Sequence, residues 1–141
     1  ANNQLLSIKE EFDLTYNSDC RGSSPFYPII NGEKVRQLQI PVTLPTYDEA
    51  LGRNGVSDAN YNDFQISLLK ENELNVLTIH AEAEGGRCSD MFADYLKRVL
   101  SLGYRVITLG LAAQETVDSA PAGNMILADF PGREGKLAIQ S

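Results

Sequence analysis

The chain has 141 residues, 43% hydrophobic and 22% charged, the size and makeup of one ordinary folded domain. Its net charge is −7 and its pI near 4.6, which excludes a nucleic-acid backbone as partner and simple electrostatic docking on anionic lipid, since both need a basic face. Two cysteines, Cys20 and Cys88, make no disulfide framework and read as the reduced thiols of a cytoplasmic protein.

Leu5, Leu6, Ile8 and Phe12 fall near helical spacing, so residues 3–11 read as an amphipathic helix, not as a charged leader before an apolar run. Residues 13–16 form a strand candidate, and 17–25 a polar loop broken by Gly22 and Pro25. Residues 26–30, then Asn31-Gly32, then 35–42 read as a hairpin or extended excursion, because Asn-Gly is a strong turn signal. Pro41 and Pro45 confine it to an edge. Thr46 with Glu49 fits a capping box opening a short helix that stops at Gly52, and Ser57-Asp58 is set to cap a second, with Phe64, Leu68 and Leu69 on its apolar face.

Asn75–Ile79 is a buried strand by composition. Ser89-Asp90 opens a helix with Phe92, Leu96, Val99 and Leu100 on one face, ended by Gly103. A strand is expected over 104–107, a short helix over 109–115, and strands at 125–128 and 137–139. No apolar stretch approaches the length of a membrane span. The order of elements favours an α/β fold with a parallel sheet, read as a single unit over 1–141. In such folds reactive groups gather at the C-terminal ends of strands, which singles out Asp19 and His80 and would set them on one rim.

His80, the only histidine, stands where the 75–79 strand opens into Ala81-Glu82-Ala83-Glu84-Gly85-Gly86. A histidine there can move a proton near neutral pH with help from a neighbouring carboxylate, or simply cap the strand end. Asp19 is placed to orient His80, and Arg21 to hold an anionic or polyhydroxyl substrate; equally, the two side chains can pin their loop as an internal pair. Glu82 and Glu84 suit a hard cation or a solvated loop. Gly132-Arg133-Glu134-Gly135 is a tight turn whose Arg133 can reach a phosphate, although no phosphate-loop pattern follows it. A Cys20–His80 thiol dyad lacks supporting context, and one histidine with two distant cysteines gives no metal-ligand spacing.

Four strings add a resemblance: Tyr16-Asn17-Ser18-Asp19-Cys20-Arg21-Gly22 with Pro25-Phe26; Gln39-Ile40-Pro41-Val42-Thr43-Leu44-Pro45-Thr46 with Asp48-Glu49; Thr78-Ile79-His80-Ala81-Glu82 with Glu84-Gly85; and Gly132-Arg133-Glu134-Gly135 with Leu137 and Gln140. In this order and at similar spacing, they resemble the bacterial formamido-arabinose deformylases, which act on a sugar carried on undecaprenyl phosphate. These belong to the polysaccharide-deacetylase (nodulation-type chitooligosaccharide deacetylase) superfamily.

The resemblance implies the C-terminal part of a distorted (β/α) barrel and the hydrolysis of a formamide in a pathway of lipid A modification that reduces the binding of cationic antimicrobial peptides. It implies a divalent metal such as zinc, held by one aspartate and two histidines, with a second aspartate as general base. Leu77-Thr78-Ile79-His80 matches the family's general-acid motif, so His80 inherits that role and Asp19 that of its tuning carboxylate. Arg21, Glu82 and Arg133 are the candidate substrate contacts. The paired-histidine and paired-aspartate motifs are missing from these 141 residues, so the chain is expected to begin after the third of five motifs and to bind no metal itself. Its expected partners are the lipid-linked sugar at the inner face of the bacterial inner membrane, the missing N-terminal half, and further copies of itself through uncovered edges. The other readings are a deacetylase of another N-acylated sugar and a non-catalytic binding module.

Overall fold

The computed structural model describes residues 3–141. Two compact units emerge, one running to Thr43 and resuming at Ile107–Ser141, the other spanning Leu44–Val106.

The first unit opens with α1 (Asn3–Lys9). Only Leu6 of the expected apolar stripe is buried; Leu5, Ile8 and Phe12 are exposed, so the helix docks through a narrower face than the spacing predicts. β1 is Tyr16–Asn17, shorter and later than the expected 13–16 strand, because residues 13–15 stay exposed and irregular. β2 (Tyr27–Ile30) turns back into β3 (Glu33–Lys34) through Asn31 and Gly32, with φ of 53° and 85°. Both residues occupy the left-handed region that a type I′ hairpin demands, which is why Asn-Gly stands there.

β4 (Leu38–Gln39) lies parallel to β1, and β2 lies parallel to β5 (Ala122–Gly123), a strand with no sequence signal beyond its turn residues. α5 (Leu109–Thr116) is capped by Thr108, whose Oγ1 accepts from the Leu111 N–H at 3.2 Å. β6 (Met125–Asp129) and β7 (Lys136–Gln140) form an antiparallel hairpin. The core gathers Leu6, Cys20, Phe26, Ile30, Val35, Met125 and Ala138. Fully burying a side chain such as Phe26 contributes about 1.5–3 kcal/mol.

In the second unit, α2 (Tyr47–Ala50) carries the expected cap: the Thr46 N–H donates to the Glu49 carboxylate at 2.9 Å. α3 (Tyr61–Ser67) starts later than Ser57-Asp58 would set it. The Asn60 Oδ1 accepts from the Ser57 N–H at 2.7 Å, and residues 58–60 form a turn ahead of the helix. α4 (Ser89–Ser101) ends through Leu102 into Gly103 at φ 87°, as expected. It buries Tyr95 and Val99 while Leu100 is exposed. The Asn62 Nδ2 donates to the Met91 carbonyl at 2.8 Å and to Asp94 at 2.9 Å, tying α3 to α4. Ala50, Val56 and Tyr61 form the core, flanked by Tyr47, Phe64 and Met91.

The strands expected over 75–79 and 104–107 do not form. Val76 is buried and its carbonyl accepts from the Leu44 N–H at 3.0 Å, but Ile79 and Val106 are exposed and neither segment joins a sheet among the described residues. Apolar composition alone does not make a strand; a strand also needs a neighbouring stretch of chain to pair with. The strands that do form are arranged in sheets of two, three and two, mixed in direction, within an α/β mixture of helices and strands.

Gly22 is required for space. A Cβ built there would lie 2.5 Å from the Gln140 Oε1, 2.7 Å from its Cβ and 3.0 Å from the Pro41 Cβ. The Gly22→Ala variant is expected to unfold about 1–3 kcal/mol more easily, measured by denaturant titration.

Candidate functional site

In the first unit, the first two strings meet at Gln39, and the fourth joins the first at Arg21. Its side chain is fully buried, and both ends of the amide are engaged: Nε2 donates to the Asp19 Oδ1 at 2.8 Å, and Oε1 accepts from the Cys20 Sγ at 3.6 Å. Its backbone exchanges both hydrogen bonds with Phe26, at 2.8 and 3.0 Å. The Lys9 ammonium forms an ion pair with Asp19 and donates to the Asn17 Oδ1 at 3.0 Å. The Asn17 Nδ2 donates to the Gln37 Oε1 at 2.8 Å, and Gln37 returns to the carbonyls of Lys9 and Phe12 at 2.7 and 2.8 Å. Asp19 is thus held by Lys9 and Gln39. Lys9 carries no sequence signal, and Gln39 stands in the second string without a role; its signal is a glutamine set among the apolar residues of 38–42, a pattern that demands a buried partner.

Arg21 is 8% exposed and lies within the sheet region: its N–H donates to the Ala138 carbonyl and its carbonyl accepts from the Gln140 N–H, both at 2.8 Å. The guanidinium sits over the Phe130 ring, 4.9 Å from the centroid. The Gln140 Oε1 accepts from the N–H groups of Ser23 and Ser24 at 2.9 and 3.3 Å, filling the space that Gly22 leaves open. The Arg133 turn, with Gly132 at φ 90° and Gly135 at φ 75°, links β6 to β7 and exposes Arg133.

His80 and Glu82 belong to the second unit, and both are exposed. The 75–79 segment is not a laddered strand, so the argument that would set His80 and Asp19 on one rim loses its premise. The loop carboxylate that touches His80 is Glu84: its Oε2 accepts from the His80 N–H at 2.8 Å. Glu84 is 3% exposed, whereas Glu82 faces solvent. The backbone at Ala83–Arg87 winds into a π-type turn that carries Glu84 inward. Among the described residues no three His, Cys, Asp or Glu side chains gather as a metal site requires, so these residues do not fit the divalent metal that the resemblance implies.

The chain is 36% identical over 137 residues to a protein of Wigglesworthia glossinidia brevipalpis named probable 4-deoxy-4-formamido-L-arabinose-phosphoundecaprenol deformylase ArnD. It is 38% identical over 137 residues to a protein of the same name from Shewanella sediminis (strain HAW-EB3). Each match covers 96% of this chain. The chain is homologous to part of these deformylases. It spans about half the length of the relatives it matches, 48% of the first and 43% of the second. No family model matches the chain. The ArnD relationship spans both units, since 137 matched residues leave neither out. No helix among the described residues is long and apolar enough to cross a membrane.

The Cys20 thiol is pushed up from 9.0 to about 12, first by burial and then by the adjacent Asp19 charge. It is therefore expected to resist iodoacetamide at pH 8 in the native chain and to react once the chain is unfolded, read by mass spectrometry. Because its folded value is raised, the stability it contributes is complete below pH 9 and is lost as the pH climbs towards 12.

Proposed function

We propose that the chain supplies the C-terminal half of a metal-dependent deformylase acting on a 4-deoxy-4-formamido-L-arabinose carried on undecaprenyl phosphate. The observation that carries this reading is identity of 36–38% along 96% of the chain to two proteins of that name. The chain is the C-terminal part of a deacetylase-type barrel. The reaction adds water across the formamide: the C–N bond breaks, formate leaves, and the sugar nitrogen gains a proton to become the free amine.

His80 is the group that delivers this proton. An exposed imidazole on a loop whose backbone is fixed from within is suited to present a ring N–H to the leaving nitrogen. Asp19, held by Lys9 and Gln39 in the first unit, is the carboxylate that the resemblance casts as tuning that acid. Arg21, Glu82 and Arg133 contact the substrate, with the exposed Arg133 suited to its phosphate. The metal is held by residues other than those described here. The enzyme works at the inner face of the bacterial inner membrane, where its product feeds lipid A modification and resistance to cationic peptides.

In the deformylase that carries this chain, His80→Ala is expected to lower kcat about 10²–10⁴-fold with bound metal unchanged, checked by steady-state kinetics beside metal analysis. Loss of metal would make His80 a ligand instead of the acid. The 141-residue chain on its own is expected to release no formate from a formamido-sugar and to self-associate through exposed side chains such as Leu100, Val106 and Ile126. A formate assay and sedimentation across a concentration series check both.

A further inference from the structure

We propose that Glu84 is the positioning residue for His80 in the deformylation reaction, holding the histidine's backbone so that its imidazole meets the leaving nitrogen; this rests on the deformylase reading above. Both backbone polar groups of His80 are tied to the turn that follows it. Its N–H donates to the Glu84 Oε2 at 2.8 Å, and its carbonyl accepts from the N–H groups of Ala83 and Glu84, each at 3.0 Å. The Cys88 N–H closes the turn on the Ala83 carbonyl at 2.8 Å. The His80 Cα is therefore fixed from within while the ring projects outward.

The choice of a carboxylate for this task is costly. Glu84 is 3% exposed, and its Oε1 is buried with no partner among the described residues. A buried charge with one oxygen unpaired opposes folding. Glutamine would accept the same N–H without a charge to bury. What a carboxylate adds is a charge-assisted bond, roughly twice as strong as a neutral one. A residue that trades stability for a firmer hold on one backbone N–H points to a need for placement. The general acid has that need, since an error of about 1 Å can cost about 10²-fold in rate.

The test compares Glu84→Gln and Glu84→Ala in the deformylase that carries this chain. Glu84→Gln keeps an acceptor but loses the charge; it is expected to raise the thermal midpoint while lowering kcat about 3–10-fold with KM unchanged. Glu84→Ala removes the acceptor and is expected to lower kcat about 10–100-fold. In the same variant the His80 amide is expected to exchange its hydrogen at least about tenfold faster, with Tyr95 in α4 unaltered. A purely structural role gives the opposite pattern, with activity following stability. Turnover in the unmutated enzyme with both variants equal to it, a loss confined to KM, or an unaltered His80 amide overturns the role alone. No turnover in the unmutated enzyme overturns the deformylase reading and this role with it.

Discussion

A side-chain amide with nowhere to reach water must be answered at both ends, and Gln39 sets this constraint on the first unit. Its NH₂ group meets Asp19, its oxygen meets Cys20, and its backbone is exchanged with Phe26. Asp19 in turn fixes Lys9, which reaches Asn17, and Asn17 reaches Gln37, whose amide closes the circuit on the carbonyls of Lys9, at the end of α1, and Phe12, just beyond it. The helix, β1 and β4 are therefore registered by polar groups, with Leu6 as the helix's one buried apolar anchor. Such a network is specific because each unmet partner would carry a desolvation penalty of about 1–3 kcal/mol.

The sequence made the turns and caps legible because their chemistry is local. Asn31-Gly32, Thr46 with Glu49, and Gly103 each determine backbone geometry within a few residues, and each stands where expected. The segments at 75–79 and 104–107 were misread because a strand is a relation between two stretches of chain, and composition records only one of them. The Ser57-Asp58 start falls one turn early: residues 58–60 form a turn and α3 begins at Tyr61.

Around the candidate site, the strings of the resemblance located the right neighbourhoods, while the working contacts lay with residues of no obvious chemical promise. The sequence offered Glu82 and Glu84 alike after the histidine, with Asp19 as the carboxylate that orients it. The π-type turn brings Glu84 to the His80 N–H and leaves Glu82 in solvent. A difference of two residues decides which carboxylate is buried, and that depends on how the backbone winds through Gly85 and Gly86. Arg21 shows the same distinction: its backbone is committed to two neighbouring segments, so it serves the architecture whatever its guanidinium contacts.

The bond between the Ser23 N–H and Gln140 joins residues 117 apart. The first unit is interrupted in sequence by all of the second, and its core needs Met125 and Ala138 as well as Leu6 and Phe26. Residues 44–106 form a unit continuous in sequence, whereas the earlier residues need β6 and β7. Closing so long a loop is slow, because its entropy is spent before any contact repays it. The core around Cys20 and Phe26 is therefore complete only when residues 107–141 have joined residues 1–43, so its assembly depends on contacts far apart in sequence.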